Sequence, residues 1–599
     1  MQLTGGEIVA EHLVANNVPY VMGIPGHGCL ALADAFHRYD KKIEVIMPKQ
    51  EMCGVHMADA YYRVTGQPLA CFTSIGPGAI NTAIGIATCY VDSTAALVLT
   101  GDAHTHMRGK GLLQEIERAQ DSMFSRIIEP IVKRAWRVDT VGQLPSVMNR
   151  AFNIMTSGRP GPVLVSLPMD VQAASTDVDA IQPSKRAAGG VLIADPAELK
   201  RAASLLLGAK RPVILAGGGI HTAGAYKELK QLAECTGAAV VTTMQGKGCF
   251  PEDHPLYGWH TGSKGTTVGL KLTSSADVLL AVGCRFADET ASSYKHGVSF
   301  NIPPTKLIHI DIDPTEIGKN YPAEVGIVGH AKRALADLNK YVKGKGPKDY
   351  TRTNFFKDIE KFRAAWLRHV SKLQNKKLSP MGMSAALAEI REATARDAYI
   401  VTSSGNAQAQ MLQEFPFPVP GTCLTTGGFS AMGWTLPASL GAKLAAPRRQ
   451  VVGIIGDGDF MMTMQELHTA MQYGINAVTV VLDNQGWIAI KDLQQAAFGE
   501  DRGMAVDFTN RKGDLIKPDF KAIAEGFGCY SEAVSERGEL APALDRCLKA
   551  GRPALLHVNV YRHFPDSGSP AMGWWDVPVP TYLKERRAEY EKGRKQEKL

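Results

Sequence analysis

Two oxygen-bearing side chains, Asp457 and Asn484, follow two β-branched runs in VVGIIGDGDFMMTMQELHTAMQYGINAVTVVLDNQGWIAI, residues 451–490. The order reads strand, Gly-Asp-Gly turn, helix, strand, Asp-Asn-Gln-Gly turn. If the strands are parallel neighbours, Asp457 and Asn484 converge on one sheet edge, joined by the carbonyl of Gly486 in the next turn. Hard oxygen ligands with few charges suit Mg²⁺, which keeps water and completes its octahedron with phosphate oxygens. The glycines of GDGD, including Gly458 before Asp459, let backbone N–H groups approach a diphosphate, and the helix beginning near Phe460 points its positive end toward it. The pattern predicts a diphosphate-Mg²⁺ site without a Walker lysine, and the chain has no GxxxxGK[ST] loop.

Such turns need strands to position them. Two segments, VQAASTDVDAIQPSKRAAGG (171–190) and VKGKGPKDYTRT (342–353), lose apolar periodicity and read as linkers cutting the chain into three pieces. In each piece short apolar runs alternate with amphipathic stretches: PLACFTSIG, TAALVLTGD and GPVLVSLP, then RPVILAGGG, DVLLAVG and KLIHIDID, then DAYIVTSSG, RQVVGIIGDGD and PALLHVNV. This predicts an α/β fold of parallel sheets flanked by helices in each domain, with strands buried on both faces. Ligands then belong in the loops after the strands. GIPGHG (23–28), SIGPGAIN (74–81), AGGGI (216–220), SSGN (403–406) and TTGGFSAMG (425–433) all sit there. AGGGI lacks the GxGxxG spacing of a dinucleotide fingerprint.

The 599 residues exceed what a single core holds, and 45 % hydrophobic with 21 % charged residues excludes disorder. A balance of 66 basic against 59 acidic residues gives no reason to expect nucleic acid. No apolar run approaches the ~20 residues that span a bilayer. The start MQLTGGEIVAEHL lacks the pattern of a secretory signal, so a cytoplasmic location is expected. Ten scattered cysteines without metal-ligand spacing predict reduced core residues. The tail KERRAEYEKGRKQEKL reads as a solvated helix, and His104 and His106 as loop residues without a third ligand.

GDG followed by DN, one helix and one strand later, resembles the thiamine diphosphate (ThDP) motif, with Asp483 in place of the motif's first Asn. GIPG at 23, Glu51 in KQEMCGVHMADAYYRVTG, TSIGPGAIN at 73, GRPGPVLVSLP at 158, AVGCRF at 281, HIDIDPTEIGKN at 309 and AMGWTLPASLGAKLA at 431 extend the likeness over almost the whole chain. Together they resemble the acetolactate synthase-like superfamily. The resemblance implies an N-terminal pyrimidine-binding domain (1–180), a central domain (190–345), a C-terminal diphosphate- and Mg²⁺-binding domain (375–575) and a charged tail (576–599). It implies Asp457, Asn484 and Gly486 as metal ligands. Glu51 is implied to hydrogen-bond N1′ of the cofactor's aminopyrimidine, so that the cofactor can deprotonate its own thiazolium C2. Pro25 and Asn81 fall on the pyrimidine side, Gly405, Asn406, Gly458 and Asp459 on the diphosphate side. Met432 would support the bent cofactor, and the Ser430 carbonyl would accept from the 4′-amino group. His27 and Gln114 would face the substrate. A homodimer or homotetramer with sites at the subunit interface is implied as well.

The implied reaction makes or breaks a carbon-carbon bond beside a carbonyl, as a carboligase or lyase on a small 2-oxo compound. GHG at 26, RFADETASS, LDNQGW and GWWDVP at 573 also resemble cyclic 1,2-dione hydrolases, including trihydroxycyclohexane-1,2-dione hydrolase, which keeps ring opening as an alternative. A flavin or nicotinamide oxidoreductase and a non-catalytic binding subunit are two further classes; joint retention of Glu51, Asp457 and Asn484 speaks against the latter. Acetolactate synthases hold FAD in the central domain, and relatives hold ADP or nothing. AGGG at 216 and Arg285 keep part of the FAD pattern, whereas GSKG at 262 and Glu289, where the family has Arg, depart from it.

Overall fold

The computed structural model describes residues 1–118, 124–184 and 191–597, so the end of the first expected linker, 185–190, lies outside the described residues. Three six-stranded sheets carry the fold, and every strand pair within them is parallel. The first runs across space as Glu44–Ile46, Tyr20–Ile24, Ala70–Thr73, Leu97–Asp102, Val163–Pro168 and Arg134–Arg137. The third runs as Cys423–Thr425, Tyr399–Thr402, Val451–Gly456, Val478–Asp483, Ala554–Asn559 and Tyr530–Val534. Numbered in chain order within each sheet, both read 2-1-3-4-6-5, so the outer pieces share one topology. The central sheet reads 3-2-1-4-5-6, the doubly wound order, from Tyr257–His260 to Val325–Val328.

Strands such as Leu97–Asp102, Val163–Pro168 and Val278–Val282 are buried along their whole length, which is why they read as continuous apolar runs. Each sheet nucleates its own hydrophobic cluster. The helix Asn354–Gln374, beyond the second expected linker, adds Phe355, Phe356, Ile359 and Trp366 to the central cluster. Outer pieces meet where helix Glu51–Thr65 lies on helix Thr435–Ala445. A Cβ on Gly441 would stand 2.1 Å from the Met57 carbonyl oxygen, so this approach requires glycine. All ten cysteines are free, and all but Cys235 are buried. Among the described residues no helix is long and apolar enough to cross a membrane.

The charged tail forms the helix expected of it, mostly open to water, and docks at a few points. Helix Lys584–Arg594 buries Tyr590, and Gly593 packs on the Trp574 ring. Arg586 donates to the Ala496 carbonyl at 3.0 Å, and Trp574 Nε1 donates to Glu597 at 3.0 Å. A single aromatic among alternating charges anchors the helix, a signal too sparse for periodicity to register.

One buried carboxyl in the third piece gives a stability prediction. Glu414 accepts from Ser384 Oγ at 2.9 Å and from Gln410 Nε2, and burial pushes its pKa up to about 7. The folded chain therefore holds a proton that the unfolded chain loses near pH 4.3. Stability from this group falls as pH rises from there to about 7. Glu414→Gln keeps both acceptor contacts without the charge. It is expected to stabilise the fold by about 2 to 3 kcal/mol near pH 8 and by little near pH 5, read by denaturant titration at both pH values.

Candidate active site

Strands Val451–Gly456 and Val478–Asp483 are parallel neighbours, with Gly456 paired to Leu482. Asp457 and Asn484 accordingly leave the same sheet edge, both buried. Asp457 Oδ1 accepts from the Gly458 N–H at 2.8 Å and Oδ2 from the Gly486 N–H at 3.0 Å. These bonds tie the two turns together and fix the carboxylate's orientation. Burial and the neighbouring Asp483 carboxyl hold the Asp457 pKa well above the usual carboxylate range. Asp483 moves the other way: against its burial, hydrogen bonds to His557 and Asp457 lower it. His557 Nε2 lies 2.9 Å from Asp483 Oδ2, and Oδ1 caps the Gln485 N–H at 3.0 Å.

The second turn bends through Gln485 at φ +61°. A strand-like segment lies over it: the Trp487 N–H donates to the Val506 carbonyl at 2.7 Å and the Phe508 N–H to the Gln485 carbonyl at 3.3 Å. A Cβ on Gly486 would stand 2.5 Å from the Val506 oxygen. On Gly458 it would meet the Trp487 ring at 2.5 Å. Both glycines are thus required by packing. The donor set at this edge is a carboxylate, an amide and a main-chain carbonyl. Such hard oxygens fit Mg²⁺ relying on phosphate oxygens for the rest of its shell.

Beside this edge, SSGN opens helix Gly405–Glu414. Gly405 takes φ +77°, and Asn406 Nδ2 donates to Asp492 at 3.3 Å. Asp459 turns away from Asp457 and Asn484 into the protein. It accepts from Ser403 Oγ at 2.6 Å and from the Gly433 N–H, and burial raises its pKa to about 6. Asp459 thereby joins GDGD to the loop 425–433. In that loop Ser430 sits at φ +49°, while Phe429 and Met432 stand about 40 % exposed. Apolar side chains left open beside an edge of glycine turns and amides suit a mixed aromatic and anionic ligand.

The first sheet builds a matching edge. Glu51 is the first residue of helix Glu51–Thr65, where the helix dipole favours a carboxylate. Its Oε2 accepts from Asn81 Nδ2 at 2.9 Å, and its Oε1 lies 3.0 Å from a Cβ built on Gly78. The strands preceding GIPGHG and SIGPG are adjacent, and Ser74 Oγ accepts from the Gly28 N–H at 3.1 Å. Pro25 and His27 are exposed on this edge. Gln114 takes φ +69°, and its carbonyl oxygen is 2.0 Å from a Cβ built on Gly76, so its segment covers the SIGPG turn. The structure thus gathers Pro25, His27, Glu51, Asn81 and Gln114 at the N-terminal edge, and Asn406, Met432, Asp457, Asn484 and Gly486 at the C-terminal one. His104 and His106 remain loop residues, their rings 5.5 Å apart.

Motif reading did not find the Asp483–His557 contact, which joins residues 74 positions apart. The signal available was His557 in PALLHVNV, a polar group inside an otherwise buried strand.

Paired sheets of identical strand order around a doubly wound one, with an acidic edge on the first and a Gly-Asp-Gly, Asp-Asn edge on the third, define a three-domain thiamine diphosphate enzyme. Residues 3–123 match "Thiamine pyrophosphate enzyme, N-terminal TPP binding domain", 199–338 the central domain and 403–558 the C-terminal TPP binding domain of that family. A probable acetolactate synthase large subunit of Methanocaldococcus jannaschii is 34% identical over 575 residues, covering 93% of this chain and 92% of its own. Acetolactate synthase isozyme 3 large subunit of Escherichia coli is 33% identical, covering 93% and 94%. The acetolactate synthase large subunit of Corynebacterium glutamicum is 33% identical, covering 93% and 87%. The chain belongs to the thiamine pyrophosphate enzymes, in their acetolactate synthase-like branch.

Proposed function

We propose that this chain is a carboligase that takes a small 2-oxo acid, releases its carboxylate as carbon dioxide and joins the remaining fragment to a second carbonyl compound. The observation that carries this is the parallel pairing that sets Asp457 and Asn484 on one edge, in a chain similar along 93% of its length to acetolactate synthase large subunits.

Bound ThDP supplies a carbon nucleophile and an electron sink for the bond that breaks. In our reading the oxygens of Asp457, Asn484 and Gly486 hold Mg²⁺ against its diphosphate, and Gly405, Asn406 and Gly458 offer backbone and amide contacts. Asp459 acts one step back, fixing the loop through Gly433. Glu51, braced by Asn81, holds a proton at N1′ of the aminopyrimidine. The Ser430 carbonyl accepts from the 4′-amino group, and Met432 and Pro25 pack against the rings. His27 moves a proton at the reacting carbonyl, and Gln114 orients the substrate oxygen.

Both edges face outward: His27 and Asn81 are exposed on one, Met432, Met462 and Ile490 on the other. We infer that a second copy closes each against the other, giving a homodimer or a tetramer of two dimers, with Glu51 serving the partner's cofactor. The cytoplasm is its proposed location.

The central domain suits FAD poorly. Cβ atoms on Gly217 and Gly219 would meet Gly283 at 2.1 and 2.6 Å, so two of the three glycines there are spent on packing. On the same domain Glu289 Oε1, a buried atom without a hydrogen bond, lies 3.5 Å from His260 Nε2, a carboxylate that a dinucleotide's phosphates would oppose. We assign flavin no part in the reaction, and a purified holoenzyme with flavin absorbance would reverse that assignment.

The test is to incubate the ThDP-Mg²⁺ holoenzyme separately with pyruvate, glyoxylate and cyclic 1,2-diones and identify products by mass. Carbon dioxide with a coupled hydroxy-ketone is expected. A ring-opened acid without gas would replace carboligation by hydrolysis.

A further inference from the structure

Asp92 ends helix Ala83–Asp92 in the N-terminal piece, and its side chain is fully buried. Its two oxygens reach across to the C-terminal piece. Oδ2 accepts from the Gly427 N–H at 3.1 Å and Oδ1 from the Gly428 N–H at 3.0 Å. Those are consecutive amides in TTGGFSAMG, just before Ser430 and Met432. Arg63 holds Asp92 from the other side, Nη2 to Oδ2 at 2.9 Å. The same guanidinium grips both oxygens of Asp59 at 2.9 and 3.0 Å and donates to the Thr425 carbonyl at 2.7 Å. Asp59 in turn accepts from Trp434 Nε1 at 2.7 Å, just past the loop's other end.

The loop is therefore clamped at both ends by buried carboxylates: Asp92 on the amides of Gly427 and Gly428, Asp459 on that of Gly433. Between the clamps, Ser430 is held in the left-handed region and Met432 and Phe429 project outward. Neither clamp touches the exposed side chains. Burying a guanidinium with two carboxylates is a weak route to stability, since desolvation cancels much of the attraction. What the arrangement does secure is geometry, because charge-assisted bonds from a rigid fork to one carboxylate, and from that carboxylate to two amides, leave the loop little freedom. Gly427 and Gly428 are also required by packing: Cβ atoms there would meet Gln245 Cγ at 2.1 Å and Val91 Cγ1 at 2.6 Å.

We infer that Asp92, locked by Arg63, is a positioning residue that sets the Ser430–Met432 segment in the shape the bound cofactor requires. The inference rests on the proposed assignment of that segment to the cofactor. It makes the N-terminal piece of a chain necessary to that chain's own C-terminal edge, independently of Glu51. The two functions share one helix: Glu51 begins it and Arg63 lies near its end, about 18 Å away along the axis.

The test uses the full-length protein with Asp92→Ala and the isosteric Asp92→Asn. Amide hydrogen exchange across residues 425–433, read by mass spectrometry, is expected to quicken by ~10- to 100-fold in Asp92→Ala and less in Asp92→Asn, which keeps one acceptor. In the holoenzyme kcat should fall about tenfold or more with substrate KM nearly unchanged, because the substrate contacts are intact. Glu51→Gln is measured alongside. Unchanged turnover in Glu51→Gln overturns the cofactor assignment itself. Slowed Glu51→Gln, with both Asp92 variants matching the wild type in exchange and in kcat, overturns the positioning role alone. Faster exchange without a fall in kcat overturns it too.

Discussion

Glu51→Gln retains ThDP and Mg²⁺ but turns over ~100- to 10,000-fold more slowly, the range expected when a positioned acid–base group is lost. Glutamine keeps the size of the side chain and the contact with Asn81, which donates to Glu51 at 2.9 Å. It does not carry the exchangeable carboxyl proton that the aminopyrimidine needs. The effect should therefore appear in kcat, with cofactor affinity by calorimetry close to the wild type. Full activity in this variant would falsify the assignment of Glu51.

Asp457→Ala gives the complementary result: an enzyme that no longer takes up the cofactor. Asp457 is the single carboxylate among the proposed metal ligands, and it also receives the N–H groups of Gly458 and Gly486. Its removal costs a ligand and unties the turn presenting another. Loss of a supporting neighbour alone weakens metal binding ~10- to 100-fold, so loss of the ligand should exceed that. Titration of ThDP at several Mg²⁺ concentrations checks it. Near-normal uptake, with a native unfolding transition, would move the metal elsewhere. Taken together, the two substitutions separate binding from chemistry.

Much of this was legible in sequence because strands buried on both faces and turns with fixed chemistry leave strong local patterns. RQVVGIIGDGD and NAVTVVLDNQG announced strands and the oxygen-bearing side chains behind them, and their parallel pairing needed only a helical connection. Less visible was everything carried by the main chain or by distant partners. Asp459 reads as one more acid of GDGD, yet its neighbours are Ser403 and the Gly433 amide. Asp92 sits in ATCYVDST without a motif, and the amides it receives belong to residues 427 and 428. The one buried side chain of the tail helix, Tyr590, is lost among lysines and glutamates. Strand order is similarly hidden: no single residue carries the 2-1-3-4-6-5 order of both outer sheets.

In the proposed dimer, the helix that starts at Glu51 and ends beyond Arg63 would divide ownership of catalysis between the copies. Its first residue would work for a neighbour, whereas its far end would work at home. A hybrid assembled from one Glu51→Gln protomer and one Asp92→Ala protomer would then concentrate both lesions in one reaction centre and leave the other wholly intact. Two nearly inactive preparations, unfolded together and refolded as a mixture, should recover about half of wild-type turnover per hybrid. Were each copy self-sufficient, every centre in the hybrid would carry one lesion and no rescue would occur.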